Sequence, residues 1–159
     1  MDAKDFKEPL MLLLAESYGL AEPDAGHFLD AGDAGLFGQI ADLDATLASD
    51  PVLKGQETIA GHCRHLLYTF QFFLAAEAGR PMKTDWPASW LPPTVDAAEW
   101  DRLRADLRAA HDELIGKFQA REDWPPPAIG AGLSLLAHTC YHVGVIDKLI
   151  PLARSRAQA

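Results

Sequence analysis

Residues 57–78 read ETIAGHCRHLLYTFQFFLAAEA, and the fold turns on how this stretch is read. Ile59, Leu66, Leu67, Phe70, Phe73 and Leu74 surround a helical projection almost completely, as expected of a helix at the centre of a bundle. Gly79, just beyond, is a suitable stop. A helix of this kind needs apolar neighbours, and the chain supplies them on both sides.

Upstream, a first helix is predicted over 5–20, where Phe6, Leu10, Leu13, Leu14 and Tyr18 recur at three-or-four spacing. The stretch 22–34 carries Pro23, Gly26 and Gly32 and reads as a loop. A short helix is predicted over 35–47, with Leu36, Ile40, Leu43 and Leu47 on one side, followed by a connector over 49–55. Downstream, 80–95 holds Pro81, Pro87, Pro92 and Pro93 with Trp86 and Trp90, and is expected to be irregular. Asp96 then caps a third helix, with Glu99 as its capping-box partner. Trp100, Leu103, Leu107, Ala110, Leu114 and Phe118 form its apolar stripe; Arg102, Arg104, Asp106, Arg108 and Asp112 form its solvated side. Trp124 and the prolines at 125–127 break the chain. A fourth helix is predicted over 128–153, with prolines suiting its first turn and Pro151 kinking or fraying its end.

No segment reads as a strand. The expected class is all-α, a four-helix bundle forming a single domain over residues 1–159. The connection between the second and third long helices, roughly 16 residues, can extend on the order of 50 Å. A helix over 57–78 is only about 33 Å long. The connection can therefore cross back along the bundle and leave those two helices parallel. A plain up-down bundle with a bulky loop is the alternative.

The chain has 159 residues, 48% of them apolar, enough for one core. Its net charge is −9 and its pI about 5.0, which disfavours phosphate backbones and anionic lipid, so neither nucleic acid nor a membrane is an expected partner. No unbroken apolar run approaches the ~20 residues of a bilayer span, and 10–15 is too short for a signal-peptide core. The expected location is cytoplasmic. Two cysteines, Cys63 and Cys140, do not make a disulfide framework.

Of six histidines, four fall in helical pairs. His138 and His142 lie about 40° apart on one helical face, one above the other. His62 and His65 are about 60° apart. Neutral imidazole suits Zn, Ni, Cu and Fe, and three protein ligands leave a position open, as in catalytic sites. The other reading is that these are satisfied polar residues of the core. His27 and His111 read as ordinary surface residues. Cys63 and Cys140 stand two residues from a histidine, about 200° round the helix, and read as small buried hydrophobes.

At these residues the chain resembles the DinB-like (DinB/YfiT) superfamily. Thr58-Ile-Ala-Gly-His-Cys-Arg-His-Leu66 is similar to that family's second-helix segment, which ends in a ligand histidine followed by Leu; here that is His65. His138-Thr-Cys-Tyr-His-Val-Gly-Val-Ile146 is similar to its fourth-helix segment, whose two ligands match His138 and His142. The Asp85-Trp86 and Ser89-Trp90 pairs, followed by Trp100, also resemble a subgroup. The likeness runs from about residue 36 to 149. It implies an up-down-down-up bundle, a metal site of His65, His138 and His142 holding a divalent transition metal (commonly Zn or Ni), and frequent homodimers. His62 matches no ligand position and is expected beside the site. Family members of known activity include thiol-dependent S-transferases and a mycothiol-dependent isomerase.

The implied function is a metal-dependent enzyme acting on a small molecule, such as an S-transferase using a low-molecular-weight thiol. The alternative is a non-catalytic metal-binding or stress-response bundle. No Asp or Glu stands at helical spacing beside the three histidines to serve as general base, which argues against a metallohydrolase. Thr69 and Ser134, each one turn from a ligand, are candidates to orient water or substrate. Tyr68 and Tyr141 are candidate cavity residues or, alternatively, packing aromatics. Trp86 and Trp90 are placed either over the cavity or capping the core.

Overall fold

The stretch that opens the sequence argument forms helix α4, Ile59–Glu77. In this computed structural model the described residues are 3–22, 27–29, 34–52 and 57–158. Among them all regular structure is helical: α1 (Ala3–Ser17), α2 (Gly35–Ala41), α3 (Ala45–Ala48), α4, α5 (Ala97–Ala120) and α6 (Pro126–Ala157), with a 3-10 turn at Pro87–Trp90. The all-α expectation holds. Pro23, Gly26 and Gly32, on which the 22–34 loop was read, and the last part of the 49–55 connector lie outside the described residues.

Helix ends follow local chemistry. Thr58 Oγ1 accepts the Gly61 N–H at 3.0 Å and so caps α4, while donating to the Pro93 carbonyl. At the other end Gly79 takes φ +66°. Its N–H reaches the Ala76 carbonyl and that of Arg80 reaches Ala75, the paired closure of a Schellman motif. The capping box of α5 is present in both halves: Asp96 Oδ1 accepts the Glu99 N–H at 2.8 Å and Glu99 Oε2 accepts the Asp96 N–H at 2.9 Å.

Three boundaries differ from expectation. The helix predicted over 35–47 is two helices, because Asp44 turns its side chain to the Leu47 N–H and caps a new start. α6 begins at Pro126 and continues past Pro151 to Ala157. Among the described residues α6 is also long and apolar enough, by length and composition, to cross a membrane, with an 18-residue window of mean hydropathy 1.4. Counting unbroken apolar runs missed this, since glycine, alanine and histidine interrupt the helix without lowering its average far. Core helices of water-soluble proteins meet the same test, and α6 carries both His138 and His142.

The chain forms two compact units: Met1–Asp42 with Ile115–Val143, and Leu43–Leu114 with Gly144–Ala159. In the first, Leu10, Leu14 and Tyr18 of α1 are buried with Leu36, Phe118 and Leu135. The buried Tyr18 hydroxyl pairs with Thr139 Oγ1 at 2.8 Å. Lys7 donates to the carbonyls of Gln119 and Arg121 at the end of α5, where a helix dipole favours a cation. The Glu16 carboxylate accepts the N–H groups of His27, Phe28 and Leu29. Burial alone would raise its pKa, and those three donors hold it below the ordinary value.

In the second unit Ile59, Leu66 and Phe70 of α4 are buried with Trp100, Leu107 and Ile146. The Trp100 indole N–H, deep in this core, donates to the Leu43 carbonyl at 2.7 Å. His111 is buried here too, 3% exposed, against the expectation of a surface residue. It follows Leu107 by four and precedes Leu114 by three, so it sits on the apolar stripe of α5. Its ring lies edge-on to Phe70, and Nδ1 is 2.8 Å from Asp112 Oδ1. Burial lowers its pKa, against the opposing pull of Asp112.

Candidate metal centre

His65 lies in the second turn of α4 and is buried. One face of its ring stacks on Trp90, centroids 4.2 Å apart and planes 12° from parallel. Trp86 approaches it edge-on at 5.8 Å. Its Nδ1 is 2.5 Å from Ser89 Oγ. The tryptophans and the serine all come from one short, internally bonded segment. Asp85 Oδ1 accepts the Ala88 N–H, and the Ser89 N–H reaches the Asp85 and Trp86 carbonyls. The Asp85 N–H in turn donates to the Tyr68 hydroxyl at 2.7 Å. The proline-rich connector is thus ordered around the histidine of α4.

On α6, His138 and His142 face one another as one-turn neighbours, ring centroids 4.5 Å apart. His142 is fully buried and His138 half-buried. Burial lowers the pKa of His138, which favours the neutral imidazole that a metal requires. His65, His138 and His142 each offer a ligand atom within 4.8 Å of the other two. Among the described residues this is the group of three or more His, Cys, Asp or Glu side chains with spacing suited to a metal ion. The donor set, three imidazoles and no carboxylate or thiolate, suits a borderline transition metal rather than Mg or Ca.

The neighbours named from sequence take definite places. His62 is buried, edge-on to Trp90 at 5.0 Å, and is not a member of the three-histidine group. Burial drives its pKa down to about 4, with Glu57 pulling weakly the other way. Thr69 is buried and donates its hydroxyl proton to the His65 carbonyl at 2.9 Å. Tyr68 is half-buried, its ring edge-on to Trp86. Ser134 is exposed. Tyr141 is 63% exposed, though its ring touches that of His142. Neither cysteine is prepared as a nucleophile: burial lifts Cys63 to about 12 and raises Cys140 as well.

Sequence reasoning did not find Ser89 as the partner of His65. The only trace was the Ser89-Trp90 pair itself, which gives no hint that the hydroxyl turns toward α4.

No curated protein and no solved structure matches the chain. The family model of the DinB superfamily matches residues 34–146, well over half of its length. That span contains all three histidines of the group and the segment that packs on His65. The chain belongs to the DinB superfamily.

Proposed function

We propose that this protein is a metal-dependent enzyme that transfers a low-molecular-weight thiol to a small electrophilic substrate. The observation that carries the reading is the meeting of three imidazoles, from His65, His138 and His142, within coordination reach of one another. Zn or Ni is the proposed ion. One divalent ion bound by three protein ligands supplies Lewis acidity to a thiol or a carbonyl through its remaining positions. The chain's own part is to hold the ligands. Trp90 and Trp86 fix the plane of His65 and shield it from water. The turn spacing of α6 fixes His138 against His142. The thiol's sulfur forms the new bond to the electrophile, and its proton leaves to solvent.

We place this chemistry in a single domain, an up-down-down-up four-helix bundle located in the cytoplasm, with no nucleic acid or membrane partner. The acidic surface supports the last point. Homodimerisation rests on the family resemblance alone.

The second reading is a metal-binding protein without catalysis. It is favoured by one observation: the three-histidine group includes no Asp or Glu to act as a general base.

Elemental analysis of the purified protein decides between binding and none. About one equivalent of transition metal is expected, falling to background in His142→Ala. Consumption of a small thiol with a model alkyl or aryl halide is expected to disappear with the metal. Thiol transfer that persists in chelator-treated protein refutes the mechanism. Bound metal with no turnover across a broad screen selects the second reading.

A further inference from the structure

We infer that Ser89 is a positioning residue that sets the tautomer of His65 and so directs its Nε2 toward the metal. The inference rests on the metal reading above and adds the residue that prepares one of its ligands. Ser89 Oγ lies 2.6 Å from the Trp86 carbonyl oxygen and 2.5 Å from His65 Nδ1. A serine hydroxyl has one proton. A carbonyl oxygen can only accept, so at 2.6 Å that proton must point to Trp86. Otherwise two oxygens would face each other across hydrogen-bond distance with no hydrogen between them. Toward His65 the hydroxyl then offers a lone pair, and Nδ1 must carry the proton. In neutral imidazole the other nitrogen, Nε2, keeps the lone pair that a metal needs.

The arrangement is built to persist. Ser89 and His65 are both buried, 6% and 7% exposed. The Ser89 N–H is tied to the Asp85 and Trp86 carbonyls within the 3-10 turn, so the hydroxyl cannot swing away without breaking the turn. Trp90, stacked on His65, restricts the one rotation that would carry Nδ1 off the hydroxyl. A hydrogen-bonded partner on the far nitrogen of a ligand histidine typically strengthens metal binding by about 10–100-fold.

Two measurements test this separately from the metal reading. Long-range proton–nitrogen correlation spectra of metal-free, histidine-labelled protein report the tautomer directly. The wild type is expected to show His65 protonated at Nδ1. Ser89→Ala is expected to show a mixture or the opposite tautomer, and Ser89→Thr to restore the original. Zinc competition against a chromophoric chelator should then give about 10–100-fold weaker binding for Ser89→Ala, with Ser89→Thr close to wild type. An Nε2-protonated His65 in the wild type overturns the inference without recourse to any variant. So does a Ser89→Ala protein whose tautomer and zinc affinity are both unchanged. If wild-type protein binds no zinc, the metal reading falls, and the tautomer spectra still decide what Ser89 does to His65.

Discussion

His62 is a histidine that the fold keeps neutral. Its folded pKa of about 4 lies below the ordinary value of 6.5, chiefly through burial, with Glu57 opposing. Between those two values the unfolded chain takes up a proton that the folded chain refuses. Stability therefore falls as pH drops from about 6.5 toward 4, and this contribution is fully present above that window. Its size is on the order of 2–3 kcal/mol. Urea denaturation of metal-free protein at several pH values should show a shallower acid loss in His62→Phe than in wild type. Parallel curves would mean that His62 is protonated in the folded state. Phenylalanine keeps a ring beside Trp90 and removes the titrating group, so the slope is informative even if the variant is less stable at neutral pH. Single residues also mark what sequence can carry. His138 and His142 are legible because their relation is one turn of one helix. Ser89 and His65 are separated by 24 positions, and their contact depends on how an irregular connector folds back. His111 was legible by position, between Leu107 and Leu114, but its polar identity outweighed its place on the stripe.

The capping box of α5 is a self-contained device at the scale of an element. Asp96 and Glu99 exchange two side-chain hydrogen bonds to the exposed start of the helix, leaving Trp100 to enter the core one residue later. Replacing Asp96 by Ala removes one acceptor and leaves the Glu99 N–H to water. A stability loss of about 1 kcal/mol is expected, with Asp96→Asn retaining most of it because the amide oxygen still accepts. Chemical denaturation with an unchanged dependence on denaturant would check this; a loss of several kcal/mol would mean that the cap also orders the preceding connector. This helix start was readable because its pattern spans four residues and needs no tertiary partner. The division of 35–47 into α2 and α3 was not, for an equally local reason. Leu36, Ile40, Leu43 and Leu47 keep helical spacing straight across the break, and the apolar rhythm hides the competing cap from Asp44. Pro151 shows the opposite error. Its predicted disruption was given to the end of the helix, yet α6 continues to Ala157.

For the whole molecule, a ligand set drawn from α4 and α6 couples metal binding to folding. Imidazoles brought together only by the folded chain bind the ion in that state and not in the unfolded one. At a free metal concentration 100-fold above Kd, the added stability is about 2.7 kcal/mol. For a chain of this size that corresponds to a rise of roughly 5–10 °C in Tm. The net charge of −9 sets the control, since an acidic surface attracts divalent cations weakly and without regard to ligand chemistry. Mg should reproduce only that surface component, because it prefers oxygen donors, whereas Zn or Ni should add a larger, saturable stabilisation. In a His65→Ala, His138→Ala, His142→Ala variant the Zn response should shrink to the Mg level while the response to Mg stays as it was. Equal Zn shifts in wild type and triple variant would place the metal elsewhere on the surface. The pH profile separates the cases further. Binding to imidazole weakens steeply as the histidines protonate on the acid side of neutrality, while surface carboxylates hold their charge to lower pH. A Zn shift that vanishes between roughly pH 7 and 5, with the Mg response intact over that range, belongs to the histidines; one that survives to pH 5 does not.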